Sequence, residues 1–266
     1  MVNEDKQQPV LLIDAGNSSV KWRLSTAMNQ SNISNNTYPE NITESFFVDS
    51  WKSTEKPAKI FVTCVANDLV WQLLDKACQQ LWSIKTVRIT ATAEEFGLIN
   101  AYEEPSTLGS DRWCAMIGAY IEIESDFIVV DCGSAITIDV VRRSEKHRVA
   151  NHLGGYILPG VTMMKNSLGA QTADVKVDTE ITHSSVITPA NSTTGCVNAA
   201  VYLAAVKLIE TVFEQQSKKL INLQCVLTGG DANLVAELLS IKYVMMPDVV
   251  LRGLAYIARS QIESNN

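Results

Sequence analysis

The chain has 266 residues, with 22 Lys+Arg against 29 Asp+Glu, a formal net charge of -7, and 46% hydrophobic and 19% charged residues. That length fits one large or two smaller domains around a packed core, and the composition argues against a disordered, collagen-like or low-complexity chain. The acidic balance, without a long Lys/Arg stripe, argues against nucleic acid or an anionic membrane as a partner, but leaves room for a small anion held by a few local donors.

In chain order, the opening residues lack the basic start and apolar run of a signal peptide, which predicts a soluble, cytoplasmic protein. Leu11–Leu24 predicts a strand, a tight glycine turn and a second strand. Ser25–Asn41, rich in Asn and Ser, predicts a loop or a solvated hairpin extension. Ile60–Leu74 predicts an apolar strand, a short turn and a helix. Ser110 is placed to cap a helix that buries Trp113, Met116, Ile117, Tyr120 and Ile121. Ile128–Val141 repeats the strand, glycine turn and strand, and the charge run over 142–148 predicts a solvated hairpin tip. A long helix is expected over Thr193–Gln216, with Val197, Val201, Ala204, Leu208 and Val212 on one face. The longest apolar stretch, Gly195–Val206, is about half of the roughly 20 residues needed to span a bilayer, so no membrane segment is expected. Cys225–Leu239 predicts a strand, a turn and a helix, and Val249–Ile262 a final helix.

Two pairs of these segments match. Asp14 and Gly16 fall on Asp131 and Gly133 at an offset of 117, and this alignment puts Ile138 where the first copy has Lys21. Thr63, Leu69, Val70, Leu73 and Leu74 fall on Thr228, Leu234, Val235, Leu238 and Leu239 at an offset of 165. The order of hairpin, strand and helix thus occurs twice, which predicts a duplicated α/β architecture divided just after Arg112, into 1–112 and 113–266. Cys64, Cys78, Cys114, Cys132, Cys196 and Cys225 are scattered without a C-x-x-C pair and read as buried reduced thiols. His147, His152 and His183 form no ligand cluster, so no structural transition metal is expected.

Asp14 ends a buried strand, Gly16 lets a ligand approach the backbone, and Lys21 returns on the same face as Ser19 and Arg23. A carboxylate for hydrated Mg²⁺ and an ammonium for phosphate suit phosphoryl transfer, and an ordinary hairpin with an exposed lysine fits the same residues. Gly229-Gly230-Asp231 is a third glycine turn, between a strand and a helix. Asp111 can complement the helix dipole or accept a substrate proton, with Arg112 holding a substrate anion and Gly109 giving the substrate room.

The ordered set D-x-G-N-S-x-x-K at 14–21, Y-x-x-P-x-x-L-G-x-D-R at 102–112, D-C-G-S-A-x-T at 131–137, G-G-x-I-x-P-G at 154–160 and L-T-G-G-D-A at 227–232 resembles the type III pantothenate kinases, the family that includes the Bvg accessory factors. The resemblance covers the chain apart from 25–59. It implies an α/β fold of the acetate and sugar kinase/Hsp70/actin type, two ribonuclease H-like domains with an ATP cleft between them. It also implies ATP-dependent phosphorylation of the primary hydroxyl of pantothenate to 4'-phosphopantothenate, the first step of coenzyme A synthesis. By motif position Asp14, Ala15, Gly16, Asn17, Ser18, Ser19, Val20 and Lys21 would bind the ATP phosphates, Asp14 also holding Mg²⁺ through water. Asp111 would be the catalytic base, and Tyr102, Gly109, Ser110, Asp111, Arg112 and Thr193 would contact pantothenate. Asp131 would coordinate a monovalent cation, K⁺ or ammonium, and Ser134, where the family usually has Thr, would contact ATP. The family's homodimers place the pantothenate pocket at the subunit interface, so that Thr193 would serve the neighbouring subunit.

Two other readings stay open on sequence alone. One is a non-catalytic regulatory member resembling the Bvg accessory factors, against which the retained Asp14, Lys21, Asp111, Arg112 and Asp131 argue. The other is a related sugar or acyl kinase, or a phosphatase, against which the segment from Tyr102 to Arg112 argues.

Overall fold

The computed structural model describes residues 9–25, 32–144, 149–171 and 187–264. The chain divides into two compact units that interleave along the sequence. The first comprises Met1–Ala93, Tyr102–Gly118 and Asp248–Asn266, and the second Glu94–Ala101 and Ala119–Pro247. The sequence reading placed one cut, after Arg112. The packing instead returns the last helix to the first unit and gives a short segment before Tyr102 to the second.

In the first unit, β1 (Val10–Ala15), β2 (Ser19–Ser25) and β3 (Ser34–Thr37) form an antiparallel meander, and α1 (Glu44–Trp51) leads into β4 (Lys59–Cys64). β4 lies parallel to β1, and α2 (Asp68–Trp82) carries the chain to β5 (Val87–Ile89), parallel to β4, for a strand order β3-β2-β1-β4-β5. Leu11, Ile13, Ile60 and Val62 turn one face toward Phe47, Trp51, Val70, Leu74 and Trp82 of the two helices. Leu12 and Phe61 alternate to the other face and are buried as well. β3 is the solvated hairpin extension expected after Ser25, while 26–31 lie outside the described residues.

The second unit opens with β6 (Glu94–Glu95) and β7 (Leu98–Ile99), and α3 (Ser110–Glu122) runs from the first unit into it. It continues with β8 (Phe127–Cys132), β9 (Ala135–Arg143), β10 (Ala150–Pro159), α4 (Val161–Gln171), α5 (Thr193–Ser217), β11 (Gln224–Thr228), α6 (Ala232–Ala236) and β12 (Val244–Met245), after which α7 (Val249–Glu263) returns to the first unit. The sheet order is β12-β11-β8-β9-β10-β7-β6. From β10 to β12 it repeats the first sheet, with β8 and β9 as the hairpin and β11 parallel to β8. Two ribonuclease H-like sheets of the same connectivity establish the duplication and the acetate and sugar kinase/Hsp70/actin class.

Several details differ from expectation. α3 buries Trp113, Met116, Ile117 and Tyr120, but Ile121 is exposed. α5 presents Val201, Tyr202, Ala205, Val206, Ile209 and Val212 to the core, leaving Ala204 exposed, because a helix apolar on most sides gives periodicity little to select a face by. By length and composition α5 could cross a membrane, contrary to the expectation of no such segment, yet that buried stripe packs into the second unit's core. α6 ends at Ala236, short of Leu239. Cys196 is exposed, whereas the other five cysteines are buried. The β9–β10 hairpin closes with Ser144 N–H donating to Val149 O, and its tip, with His147, lies outside the described residues, as does His183.

α7 packs against β1, β4 and β2 and crosses α3 backbone to backbone. A Cβ at Gly253 would overlap the Cys114 carbonyl, and one at Gly118 the Val249 carbonyl. At its start, Asp248 accepts from Arg23 of β2 and from Arg252, each at 2.8 Å. Burial pushes the Asp248 carboxyl up, but the hydrogen bonds from Arg23 and Arg252 outweigh it and hold the group below the usual aspartate range. A depressed folded-state pKa stabilises above the unfolded value, about 3.9, and that contribution is lost as pH falls through the folded value. Asp248→Asn should therefore lower the melting temperature at neutral pH, with the gap to wild type narrowing below about pH 4 in a calorimetric pH series.

Candidate active site

β1 and β2 set Asp14 opposite Lys21 and Ala15 opposite Val20, leaving a four-residue turn closed by Gly16 N–H donating to Ser19 O at 3.0 Å. Asn17 and Ser18 are exposed at its tip, and Ser18 O accepts from Tyr38 N–H at 2.9 Å. Val20 points into the core, which turns Lys21 and Ser19 to the other face of the strand. Asp14 also lies beside Thr63 in the parallel pairing with β4. The turn therefore presents a carboxylate and an ammonium at one sheet end.

Thr63 attaches the second group of residues to this end. Its hydroxyl meets that of Ser110 at 2.6 Å, both buried. Ser110 is therefore not the helix cap expected; Gly109 is, its carbonyl accepting the first helical bond from Trp113 N–H at 3.0 Å. Asp111 Oδ1 accepts from Arg112 N–H at 2.7 Å and folds back over Gly109, where an added Cβ would lie 2.6 Å from it. Gly109 thus makes room for a carboxylate. Arg112 is buried and donates from Nη1 to the Tyr102 hydroxyl at 2.9 Å, its guanidinium 5.8 Å from the ring centroid. Asp14, Lys21, Tyr102, Gly109, Ser110, Asp111 and Arg112 all belong to the first unit.

The second unit builds the matching turn around Asp131. Asp131 lies opposite Thr137 and beside Thr228, and only three residues separate Cys132 from Ile136. The turn is one residue shorter than the first, so the structural counterpart of Lys21 is Thr137, not Ile138, which faces the core. Three glycines lie at this turn. A Cβ at Gly133 or Gly229 would lie 3.2 or 2.5 Å from Asp131 Oδ1, Gly160 N–H donates to Ser134 O at 2.9 Å, and Gly229 has φ +103°. Asp231, after this turn, is raised by burial against the pull of the buried Lys165 ammonium, which lies 4.8 Å from the Tyr202 ring. Thr193, in the first turn of α5, is exposed.

Sequence reasoning missed three residues near the first site. Thr63 was visible only as a repeat match to Thr228. Tyr38 follows β3, and its hydroxyl is buried without a hydrogen-bond partner among the described residues. Burial, then the charges of Cys64 and Asp14, push its pKa up. Arg88, on β5, stacks on Trp71 and donates to Cys64 O.

The sequence profile of the type III pantothenate kinase family matches residues 10–215. A type III pantothenate kinase of Nitrosococcus oceani is 33% identical over 256 residues, covering 94% of each chain. One of Hahella chejuensis is also 33% identical, over 93% of this chain and 96% of its own. A crystal structure described as a Baf family transcriptional activator of Campylobacter jejuni superposes with a TM-score of 0.58 at 22% identity, covering 95% of this chain and 99% of the other, a likeness of fold.

Thr63→Val should leave the Ser110 hydroxyl buried without its partner, a cost of about 1–3 kcal/mol in urea unfolding. Combined with Ser110→Ala it should cost clearly less than the two single changes summed.

Proposed function

The chain belongs to the type III pantothenate kinase family, and we propose that it phosphorylates the primary hydroxyl of pantothenate from ATP, the entry to coenzyme A synthesis, with Asp111 as base. The observation that carries this assignment of roles is the Thr63–Ser110 contact, which holds the Asp111 helix at the sheet end that bears Asp14 and Lys21.

The Asp111 carboxylate, steadied by the Arg112 N–H, accepts the hydroxyl proton as the substrate oxygen attacks the γ-phosphorus and the bond to the β-bridging oxygen breaks, releasing ADP. Lys21 and the N–H groups of the turn over 14–21 bind the polyphosphate and take up its developing charge, and the Ser134 hydroxyl is a further ATP contact by motif position. Tyr102 and Arg112, joined by their hydrogen bond, and the backbone over 109–110 orient pantothenate.

No group of three or more His, Cys, Asp or Glu that could hold a metal occurs among the described residues. Mg²⁺ needs none, since one carboxylate with water and substrate phosphates suffices, and Asp14 fits that part. When bound it neutralises phosphate charge. Asp131, whose Oδ1 is left room by the missing Cβ atoms at Gly133 and Gly229, fits a monovalent cation, K⁺ or ammonium.

The working form is a homodimer in the cytoplasm. Leu153, Tyr156, Ile157, Met163, Leu168 and Leu203 are exposed apolar side chains on β10, α4 and α5, suited to a second copy. Thr193, exposed at the start of α5, would then reach the partner's pantothenate.

Pantothenate-dependent ADP release, measured with and without K⁺, tests the reading. Turnover should require a monovalent cation and fall about 10²–10⁴-fold in Asp111→Asn. Absence of pantothenate-dependent turnover with K⁺ and with ammonium would refute the kinase reading, and a wild-type-like Asp111→Asn the base assignment.

A further inference from the structure

The turn that carries Asp131 and Ser134 is held by two junctions, both within the second unit. At one, β10 gives way to α4. Gly160 N–H donates to Ser134 O, its carbonyl accepts the first helical bond from Met164 N–H, and a Cβ there would overlap the Gly133 and Ser134 carbonyls. At the other, β11 gives way to α6. Asp231 N–H donates to Cys132 O at 2.9 Å, and a Cβ at Gly229 would overlap the Cys132 backbone and Asp131 Oδ1. Both junctions meet the turn through glycine, the residue with the most backbone freedom to lose. Their geometry has to be fixed from further away.

Each junction carries one charge that no step above uses. Lys165 lies four residues after Val161 on α4, so the two share a face, and both are buried. Its ammonium sits 4.8 Å from the ring centroid of Tyr202, a buried residue of α5. Asp231, half-buried, opens α6. Burial raises the Asp231 carboxyl while the Lys165 charge draws it down, and the Tyr202 phenol is pushed up to about 12 by burial and then by Asp231. Ammonium, ring and carboxylate thus form one cluster drawn from α4, α5 and α6. Charges withdrawn from water attract each other more strongly than a surface pair does, and the ring face adds to the hold on the cation.

We propose that Lys165 and Asp231 are positioning residues for nucleotide binding: their attraction ties the β10–α4 junction to the β11–α6 junction and holds the Asp131–Ser134 turn between them in its binding arrangement. Tyr102 and residues 109–112, assigned to pantothenate above, belong to the first unit and lie outside this tie. Its loss therefore weakens nucleotide binding and spares the pantothenate KM.

This inference rests on the kinase reading for its ligand. Its test is ADP binding by calorimetry in K⁺ buffer, with melting temperature and pantothenate KM, on the full-length wild type, Lys165→Arg, Lys165→Met and the double variant Lys165→Met/Asp231→Asn. Lys165→Met should weaken ADP binding about three- to thirtyfold, with the pantothenate KM within about twofold. Lys165→Arg, which keeps the charge, should lie nearer the wild type. Lys165→Met also leaves Asp231 without this cation and should lower the melting temperature. The double variant removes both charges, so it should regain melting temperature while ADP binding stays weak. Recovery of ADP binding together with melting temperature would overturn the proposal, since the charges would then serve stability alone. Unchanged ADP binding in Lys165→Met, or an equal loss for pantothenate, would overturn it as well. A wild type that binds no ADP would instead remove the kinase reading.

Discussion

The buried contact between the Thr63 and Ser110 hydroxyls, 2.6 Å apart, fixes where the rest of the first unit can go. Thr63 is in register with Asp14, and Ser110 opens the helix that carries Asp111 and Arg112, so residues far apart in sequence share one sheet end. Everything downstream of that tie braces it. Trp113 buries the next turn of α3, Gly118 brings the helix onto Gly253 of α7, and Asp248 fastens α7 to Arg23. Arg23 lies two residues beyond Lys21 on β2. The constraints therefore close on themselves, from the Asp14 turn through β4, α3 and α7 and back to the strand that carries the lysine.

The two units repeat one plan with a consequential difference of one residue. A threonine stands beside the aspartate in both, Thr63 by Asp14 and Thr228 by Asp131. The longer first turn gives Asp14 a lysine opposite, and the shorter second turn gives Asp131 a threonine. One turn therefore carries a positive charge opposite its aspartate. The other carries none opposite its aspartate, and the missing Cβ atoms at Gly133 and Gly229 leave room at Asp131 Oδ1.

Much of this was legible in the sequence because strands and glycine turns leave strong local marks. Both hairpins, both strand-to-helix segments and the span of α3 follow from apolar alternation and helical spacing, and the ordered motifs resemble a known family. Three kinds of feature were not legible. A gapless alignment of the two turns cannot see that one is a residue shorter, so Ile138 was matched to Lys21 in place of Thr137. Ser110 has the composition of a cap, but its hydroxyl is spent on Thr63, a tertiary partner that local rules do not contain. Arg88 lies outside every motif, and only folding places its guanidinium at the exit of β4. The interleaving of the units was hidden for the same reason, since nothing local in Val249–Glu263 says which sheet it covers.

The glycine crossing of α3 and α7 bears on the order of synthesis. The first unit begins the chain but is completed by its last helix, whereas most of the second unit is a continuous stretch, 119–247, that precedes α7. As the chain emerges, β1 to β5 must wait with the face meant for α7 uncovered until the second unit has been made. The part of the molecule that holds Asp14, Lys21 and Asp111 is therefore the last to reach its final packing, and a chain interrupted before Val249 lacks the helix that crosses Gly118.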